Sequence, residues 1–161
     1  MIIREAKDVD WAEIFPFFRA IVDAGETYTY PSGLGEQEAR ELWMQRPPAL
    51  TVVALEDDVV VGSAKMGPNR PGRGSHVATA SFMVNPQHQG QGVGLALGTF
   101  MVAWARDSGY HSIQFNAVVE TNGGAVHLWE SLGFTTLATV PQAFDHPRYG
   151  LVGLKVMYLP L

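Results

Sequence analysis

The sequence contains no cysteine in its 161 residues. This absence excludes disulfide frameworks, cysteine-ligated zinc and any mechanism that carries an intermediate on a thiol. Positive charge is also scarce, because 11 Lys and Arg stand against 16 Asp and Glu, which gives a formal net charge of −5 at pH 7. Without a basic surplus the chain is not expected to bind a phosphate polymer, so nucleic acid is not an expected partner.

Long apolar segments and an export signal are missing as well. The longest stretch made up almost entirely of apolar residues and glycine, Val93 to Ala105 with Thr99 inside it, has 13 residues and is shorter than the roughly 20 that span a bilayer. The first eight residues lack the basic start and apolar stretch of a secretory leader. We therefore expect no membrane segment and a cytoplasmic location.

Apolar residues, in contrast, are plentiful. They make up 47% of the chain against 17% charged residues, which excludes disorder and predicts a large buried core. The length fits one domain over residues 1–161.

Apolar periodicity predicts the element order β α α β β β α β α β β, which is typical of an α/β domain with a mixed sheet. Pro16 is expected to interrupt and kink the first helix. The strand that ends at Val84 is apolar on both faces and is expected to be central. The last two strands are placed at 134–140 and 151–158, joined by a loop at 141–150.

A glycine-rich turn follows the central strand, within the segment Phe82 to Gly94. Glycines at 90, 92 and 94 let backbone amides turn toward the start of the next helix, where unpaired N–H groups and the helix dipole favour phosphate oxygens. The turn lacks the Gly-Lys-Ser/Thr ending of a nucleotide-hydrolysing loop, and Leu97 stands where a dinucleotide-binding fold needs its third glycine. We interpret the turn as a pyrophosphate site; a turn shaped only by packing is the alternative.

Two segments resemble motifs of the GCN5-related N-acetyltransferase (GNAT) superfamily. Gln89-Gly-Gln-Gly-Val-Gly94 is similar to the Gln/Arg-x-x-Gly-x-Gly/Ala signature that cradles the pyrophosphate of acetyl-CoA. Downstream, the segment from Asn122 to Phe134 resembles the family's second helix motif, Asn-x-x-Ala-x-x-Leu-Tyr-x-x-x-Gly-Phe. The N-terminal helices and the closing hairpin also match the family's topology.

The resemblance implies an acetyl-CoA-dependent N-acetyltransferase. Its fold would be a mixed, mostly antiparallel sheet of six or seven strands, with a central parallel pair that splays apart and about four flanking helices. Pantetheine is expected to bind at the splayed strand as if it were an extra strand. The residues implied to contact the cofactor are Met83, Val84, Gln89, Gly90, Gln91, Gly92, Val93, Gly94, Asn122 and Trp129.

Two of these positions bear on catalysis. The Val84 amide is the candidate to polarise the thioester carbonyl, because a preplaced N–H stabilises the charge that acyl transfer puts on that oxygen. Trp129 stands where many family members have a tyrosine that acts as a general acid, and indole has no acidic proton usable near neutral pH. We therefore expect Trp129 to pack against the sheet and the cofactor, and water to supply the proton to the departing coenzyme A thiolate.

A narrower resemblance concerns the acceptor. The segment Phe115 to Asn122 and the segment His146 to Gly150 look like a subgroup that includes a yeast acetyltransferase acting on proline analogues such as azetidine-2-carboxylate. This resemblance implies that Asn116 holds the acceptor, a satisfied polar group at a strand break being the alternative. Tyr28 and Tyr30 are candidates for lining the acceptor pocket or for capping the core.

The predicted reaction is direct acetyl transfer to the amine of a small molecule, such as an amino acid or an analogue, with Val84 and Asn116 as the catalytic residues. An amino-acid acceptor would need a cation for its carboxylate, and the predicted cleft loops offer few. The alternatives are a non-catalytic acyl-CoA-binding sensor, acetylation of a protein amine and an inert dimerisation module. A second copy of the chain is a candidate partner. No metal is expected, because the five histidines show no ligand spacing.

Overall fold

The fold is a seven-stranded sheet, described by a computed structural model that covers residues 1–161. Its seven strands and four α-helices, in the predicted order, confirm the fold predicted from the sequence. In chain order the elements are β1 Ile2–Glu5, α1 Trp11–Ala24, α2 Glu36–Trp43, β2 Leu50–Glu56, β3 Val59–Pro68, β4 Val77–Val84, α3 Val93–Asp107, β5 Ser112–Val119, α4 Gly123–Ser131, β6 Thr135–His146 and β7 Gly150–Pro160.

The strands lie in the order β1-β2-β3-β4-β5-β7-β6. Every neighbouring pair is antiparallel except β4 and β5, which are parallel and are joined through α3. A parallel pair needs such a crossover connection. β4 is the fourth of seven strands, which confirms the central position predicted from its two apolar faces.

The sheet separates two hydrophobic cores. Successive side chains of a strand point to opposite faces, so β4 contributes to both. Met83 packs with Phe18 and Trp43, which belong to α1 and α2. Ala78 packs in the core that holds Leu97 of α3 and Trp129 of α4. We call these two sides of the sheet the α1–α2 face and the α3–α4 face.

α1 runs without a break from Trp11 to Ala24 with Pro16 inside it, so the predicted interruption is wrong. Proline lacks an N–H and removes one hydrogen bond from the helix. Burial of Ile14, Phe17 and Phe18 against the core outweighs that loss. No helix of the molecule, α1 included, has the length and apolar character to cross a membrane.

The predicted loop at 141–150 is also wrong for most of its length, because β6 continues as far as His146. A register shift in the pairing of β6 with β7 absorbs Pro141, and the next residue, Gln142, has φ 53°. Proline is tolerated here because β6 is an edge strand, bonded to a neighbour on one side only. The true connection is the three-residue turn 147–149.

Candidate active site

β4 and β5 separate soon after they begin. Their parallel pairing comprises only Val77 with Ser112 and Ala78 with Ile113. Further along, β5 carries a register shift between Phe115 and the residues that follow, which alters its course beside β7. The two central strands therefore leave a gap at their C-terminal ends, as the resemblance implied.

The backbone of β4 presents free groups to this gap. The Asn85 N–H donates to the Val61 carbonyl at 2.9 Å, and the Asn69 N–H donates to the Val77 carbonyl at 2.7 Å. Alternate residues of an antiparallel strand bond to the same neighbour, so the odd-numbered peptides of β4 face β3. The peptide groups of Phe82 and Val84 consequently face the gap.

A cavity of about 600 Å³ occupies the gap and reaches both faces of the sheet. Its lining includes Lys65 and Ser81, which are paired across β3 and β4. Ser81 is two residues before Met83 on β4, so both side chains point to the α1–α2 face, and Lys65 points there too. The lining also includes Phe82, Val84 and Trp129 on the α3–α4 face. The cavity thus passes through the sheet between β4 and β5, so two ligands can meet in it from opposite sides.

The glycine turn lies beside this cavity at the start of α3. Gly90 and Gly92 have φ 76° and 80°, a left-handed conformation that glycine adopts without strain. Gly92 is the N-cap of α3, and no side chain satisfies the first N–H groups of that helix. A Cβ atom on Gly94 would lie 3.3 Å from the Leu128 side chain, so α3 and α4 approach closely here. The open helix start and the space around Gly92 fit a diphosphate.

The structure brings most of the predicted cofactor residues to one place. Met83, Val84, Gln89, Gly94, Asn122 and Trp129 line the cavity. The other four residues lie in the turn and at the start of α3. Gly90, Gln91 and Gly92 are exposed, and Val93 is buried.

Trp129 is 6% exposed and packs as the sequence predicts. Its ring centroid lies 4.6 Å from that of Phe82 and 4.9 Å from that of Phe115. These contacts place Trp129 against β4 and β5, at the wall of the gap.

Tyr28 reaches the gap from the connection between α1 and α2. Its hydroxyl donates to the Phe82 carbonyl and accepts from the Phe82 N–H at 3.0 Å. Burial, with a smaller contribution from nearby Tyr30, raises the pKa of Tyr28 well above its usual range. Among the peptides that face the gap, that of Phe82 is therefore engaged by Tyr28.

Tyr30 and Asn116 also line the cavity. The Tyr30 ring stacks on the Tyr28 ring at 5.4 Å. The Asn116 side chain accepts a hydrogen bond from Gln114 at 3.0 Å and donates one to Asn69 at 2.6 Å. Asn116 is thus held in place by its neighbours, and the residue is exposed.

Asn122 is the N-cap of α4. Its Oδ1 accepts from the Ala125 N–H at 3.3 Å. The cap fixes the first turn of α4 next to the gap.

Sequence reasoning missed the charged residues of the cavity. Only Glu26 and Lys65 among the lining residues carry a formal charge. Lys65 lies on β3, whereas the sequence suggested cations only on loops. One feature of the sequence could have indicated it. Lys65 is the one charged residue between Val59 and Met66, in a strand that pairs with the central strand.

Three other titratable residues, Glu120, Asp145 and His146, do not line the cavity. The Glu120 carboxylate accepts from the Gly153 N–H at 2.5 Å. His146 Nδ1 accepts from the N–H groups of Arg148 and Tyr149 and so stabilises the β6–β7 turn. No group of three or more metal-ligating side chains is assembled in the molecule.

Two solved structures are similar to this chain over nearly its whole length. A GCN5-related N-acetyltransferase from Kribbella flavida is 56% identical, with a TM-score of 0.97 over 99% of this chain and 97% of that chain. The yncA structure from Salmonella typhimurium, solved with its cofactor acetyl-CoA, is 29% identical, with a TM-score of 0.84 over 100% of this chain and 94% of that chain.

Two curated relatives are also similar. N-acetyltransferase aca1 of Schizosaccharomyces pombe is 28% identical over 142 residues, which are 79% of this chain and 68% of the relative. L-amino acid N-acyltransferase MnaT of Escherichia coli is 37% identical over 92 residues, which are 56% of this chain and 53% of that protein. The similarity to the yeast relative fits the subgroup suggested by the segment around Asn116.

The fold, the split parallel pair and these relatives define an N-acetyltransferase that uses acetyl-CoA. The model of the acetyltransferase (GNAT) family matches residues 15–134. The chain belongs to that family.

Proposed function

We propose that the protein transfers the acetyl group of acetyl-CoA directly to the amine of a small molecule, with residues 1–161 acting as one domain. The observation that carries this proposal is the cavity that passes through the sheet between β4 and β5. Acetyl-CoA would enter on the α3–α4 face and the amine on the α1–α2 face. Because the chain has no cysteine, the amine attacks the thioester itself rather than a thioester on the enzyme.

The cofactor side is argued from the turn and from β4. The unpaired N–H groups at the start of α3 would hold the diphosphate, with Gly90 and Gly92 supplying the turn. Acetyl-CoA supplies the activated acetyl group as a thioester. The Val84 N–H faces the gap and, unlike that of Phe82, is not engaged by Tyr28, which supports Val84 as the donor to the carbonyl oxygen.

A crystal structure with bound acetyl-CoA tests this assignment. We expect the carbonyl oxygen within about 3.2 Å of the Val84 nitrogen. A bond from the Phe82 N–H instead, with the Tyr28 hydroxyl displaced, would contradict it.

The acceptor side needs a group that removes a proton, because aliphatic amines are mostly protonated at pH 7. Glu26 is the one carboxylate that lines the cavity. We assign Glu26 as the proton acceptor. Glu26 is exposed to solvent, so a water molecule would carry the proton from the amine to its carboxylate. Asn116, Tyr28 and Tyr30 would form the walls that position the amine.

The experiment that tests the function mixes the protein, acetyl-CoA and a library of amines while thiol release is followed. Acetylation of small amines is the expected result. Binding of acetyl-CoA without thiol release from any amine would favour the non-catalytic sensor. Turnover only with peptides or proteins would favour acetylation of a protein amine.

We also propose a homodimer in the cytoplasm. Residues 135–143 of β6 are all exposed, on both faces of the strand, and none is charged. An uncharged edge strand with free N–H and C=O groups is normally covered, and a twofold axis lets the same surface of a second copy cover it.

Sedimentation should show a dimer that Leu137→Lys dissociates. Val9→Lys, on another exposed apolar residue, should leave it intact, and a monomeric wild type would contradict the proposal.

A further inference from the structure

Lys65 is the one cation among the residues that line the cavity. Its ammonium has three N–H donors, and one of them bonds to the Leu42 carbonyl at 2.7 Å. The two ion pairs of the molecule, Arg4–Asp10 and Arg40–Asp8, lie elsewhere. The charge of Lys65 is therefore not neutralised by any carboxylate of the protein, and two of its donors remain available.

The surroundings of Lys65 favour an anionic ligand on the α1–α2 face. Its Nζ lies 5.4 Å from the centroid of the Tyr30 ring and 5.7 Å from that of the Trp43 ring. These rings fix the side chain and shield it partly from water. A cation that is partly removed from water attracts an anion more strongly than one in bulk solvent.

Lys65 also lines the same cavity as the proposed reacting position at Val84. The register pairs Lys65 with Ser81, three residues before Val84 on β4. An acceptor that enters from the α1–α2 face would therefore meet Lys65 while its amine points into the gap.

We propose that Lys65 binds a carboxylate carried by the acceptor, so that the acceptors of this enzyme are amino acids and Lys65 sets the preference for them over simple amines. The inference rests on the proposed function, because it takes the α1–α2 face as the entrance of the amine. It supplies the cation that an amino-acid acceptor requires.

The contact with Leu42 offers a simpler role, in which Lys65 only caps the last turn of α2. The two roles differ in what they affect. A cap stabilises the enzyme and influences all acceptors alike, whereas a carboxylate ligand influences only acceptors that carry the carboxylate.

The test measures kcat and KM for matched pairs, each an α- or ω-amino acid and its carboxamide, which share the amine and differ in the charge. For the wild type we expect kcat/KM to favour the acid by about 10-fold to 100-fold, as for a hydrogen bond to a charged group. In Lys65→Met the ratio of kcat/KM for the acid to kcat/KM for the amide should fall to about one, mainly through a higher KM for the acid. Lys65→Arg keeps the charge and should retain most of the preference for the acid.

Lys7→Met removes the same charge from an exposed position and should leave the acid-to-amide ratio unchanged. Lys65→Gln, which can still donate to Leu42, replaces Lys65→Met if that variant does not fold. A wild-type ratio of one or less, or an equal loss on acids and amides in Lys65→Met, would overturn the inference while the proposed function stands. Absence of turnover with acids, amides and simple amines alike would overturn both.

Discussion

The two sides of the cavity, which we proposed as the cofactor side and the acceptor side, are built in different ways. The cofactor side comes mainly from one continuous stretch, the end of β4, the glycine turn and the start of α3. The acceptor side comes from four separate segments, the end of α1 with the α1–α2 connection, β3, β4 and β5, of which Tyr28, Lys65, Ser81 and Asn116 are examples. A continuous stretch can be recognised as a motif, whereas an assembled wall depends on strand register. The difference also predicts that variants on the two sides will have separable effects.

The largest expected effect is on the cofactor side, from Gly92→Glu. The substitution places bulk and negative charge where the diphosphate is proposed to lie, and we expect acetyl-CoA binding to be abolished. A ligand present at 100 times its dissociation constant stabilises a protein by about 2.7 kcal/mol. Thermal unfolding with and without acetyl-CoA should show this stabilisation in the wild type and none in the variant.

Gly72→Glu is the matched control for that experiment. Gly72 also has a positive φ, 59°, and a Cβ atom added to it would meet no neighbouring atom within 4 Å. It does not line the cavity. The control therefore introduces the same backbone strain and the same negative charge at a position outside the proposed diphosphate site. Equal loss of acetyl-CoA stabilisation in both variants, or unchanged affinity in Gly92→Glu, would count against the diphosphate site.

A smaller effect is expected on the acceptor side, from Glu26→Gln. Loss of the proton acceptor should lower kcat about 100-fold at pH 7, in the range typical of general-base catalysis. The loss should shrink as the pH rises toward the pKa of the amine, while the dissociation constant for acetyl-CoA stays the same. Steady-state kinetics across pH measure both quantities. Glu38→Gln, on an exposed position of α2, should change neither, and an unchanged kcat in Glu26→Gln would remove Glu26 from the mechanism.

The smallest expected effect concerns stability, from Tyr28→Phe, at the junction of the two sides. The variant leaves the Phe82 peptide without its partner and should reduce the free energy of unfolding by about 1–3 kcal/mol. The folded-state pKa of Tyr28 is raised by burial, so the unfolded chain loses its phenolic proton first as pH rises past about 10.

The free energy of unfolding of the wild type should therefore fall as the pH rises above about 10. Tyr28→Phe should remove part of this pH dependence. Denaturant unfolding at neutral and alkaline pH measures both effects. The same slope in both proteins would show that the Tyr28 hydroxyl is not buried as described.

The sequence was a good guide wherever a local pattern determined the structure. The glycine turn and the central position of β4 each depend on neighbouring residues, and each was predicted. Two failures arose where a local rule was outweighed. Pro16 was expected to interrupt a helix whose apolar face is buried, and Pro141 was expected to mark a loop, although an edge strand accommodates it with a register shift.

Lys65 was missed for a different reason. Its approach to the cavity depends on the pairing of β3 with β4 and on the packing of Tyr30 and Trp43 around its side chain. These contacts join residues far apart in the chain, and no spacing in the sequence reports them.

If the two substrates enter from opposite sides of the sheet as proposed, each product would have its own exit. The acetylated molecule would then be able to depart while coenzyme A is still bound, and the reverse order would be equally open. A bisubstrate compound, in which the sulfur of coenzyme A is joined to the nitrogen of the acceptor through a short linker, would thread the sheet and combine the binding free energy of both halves in one inhibitor.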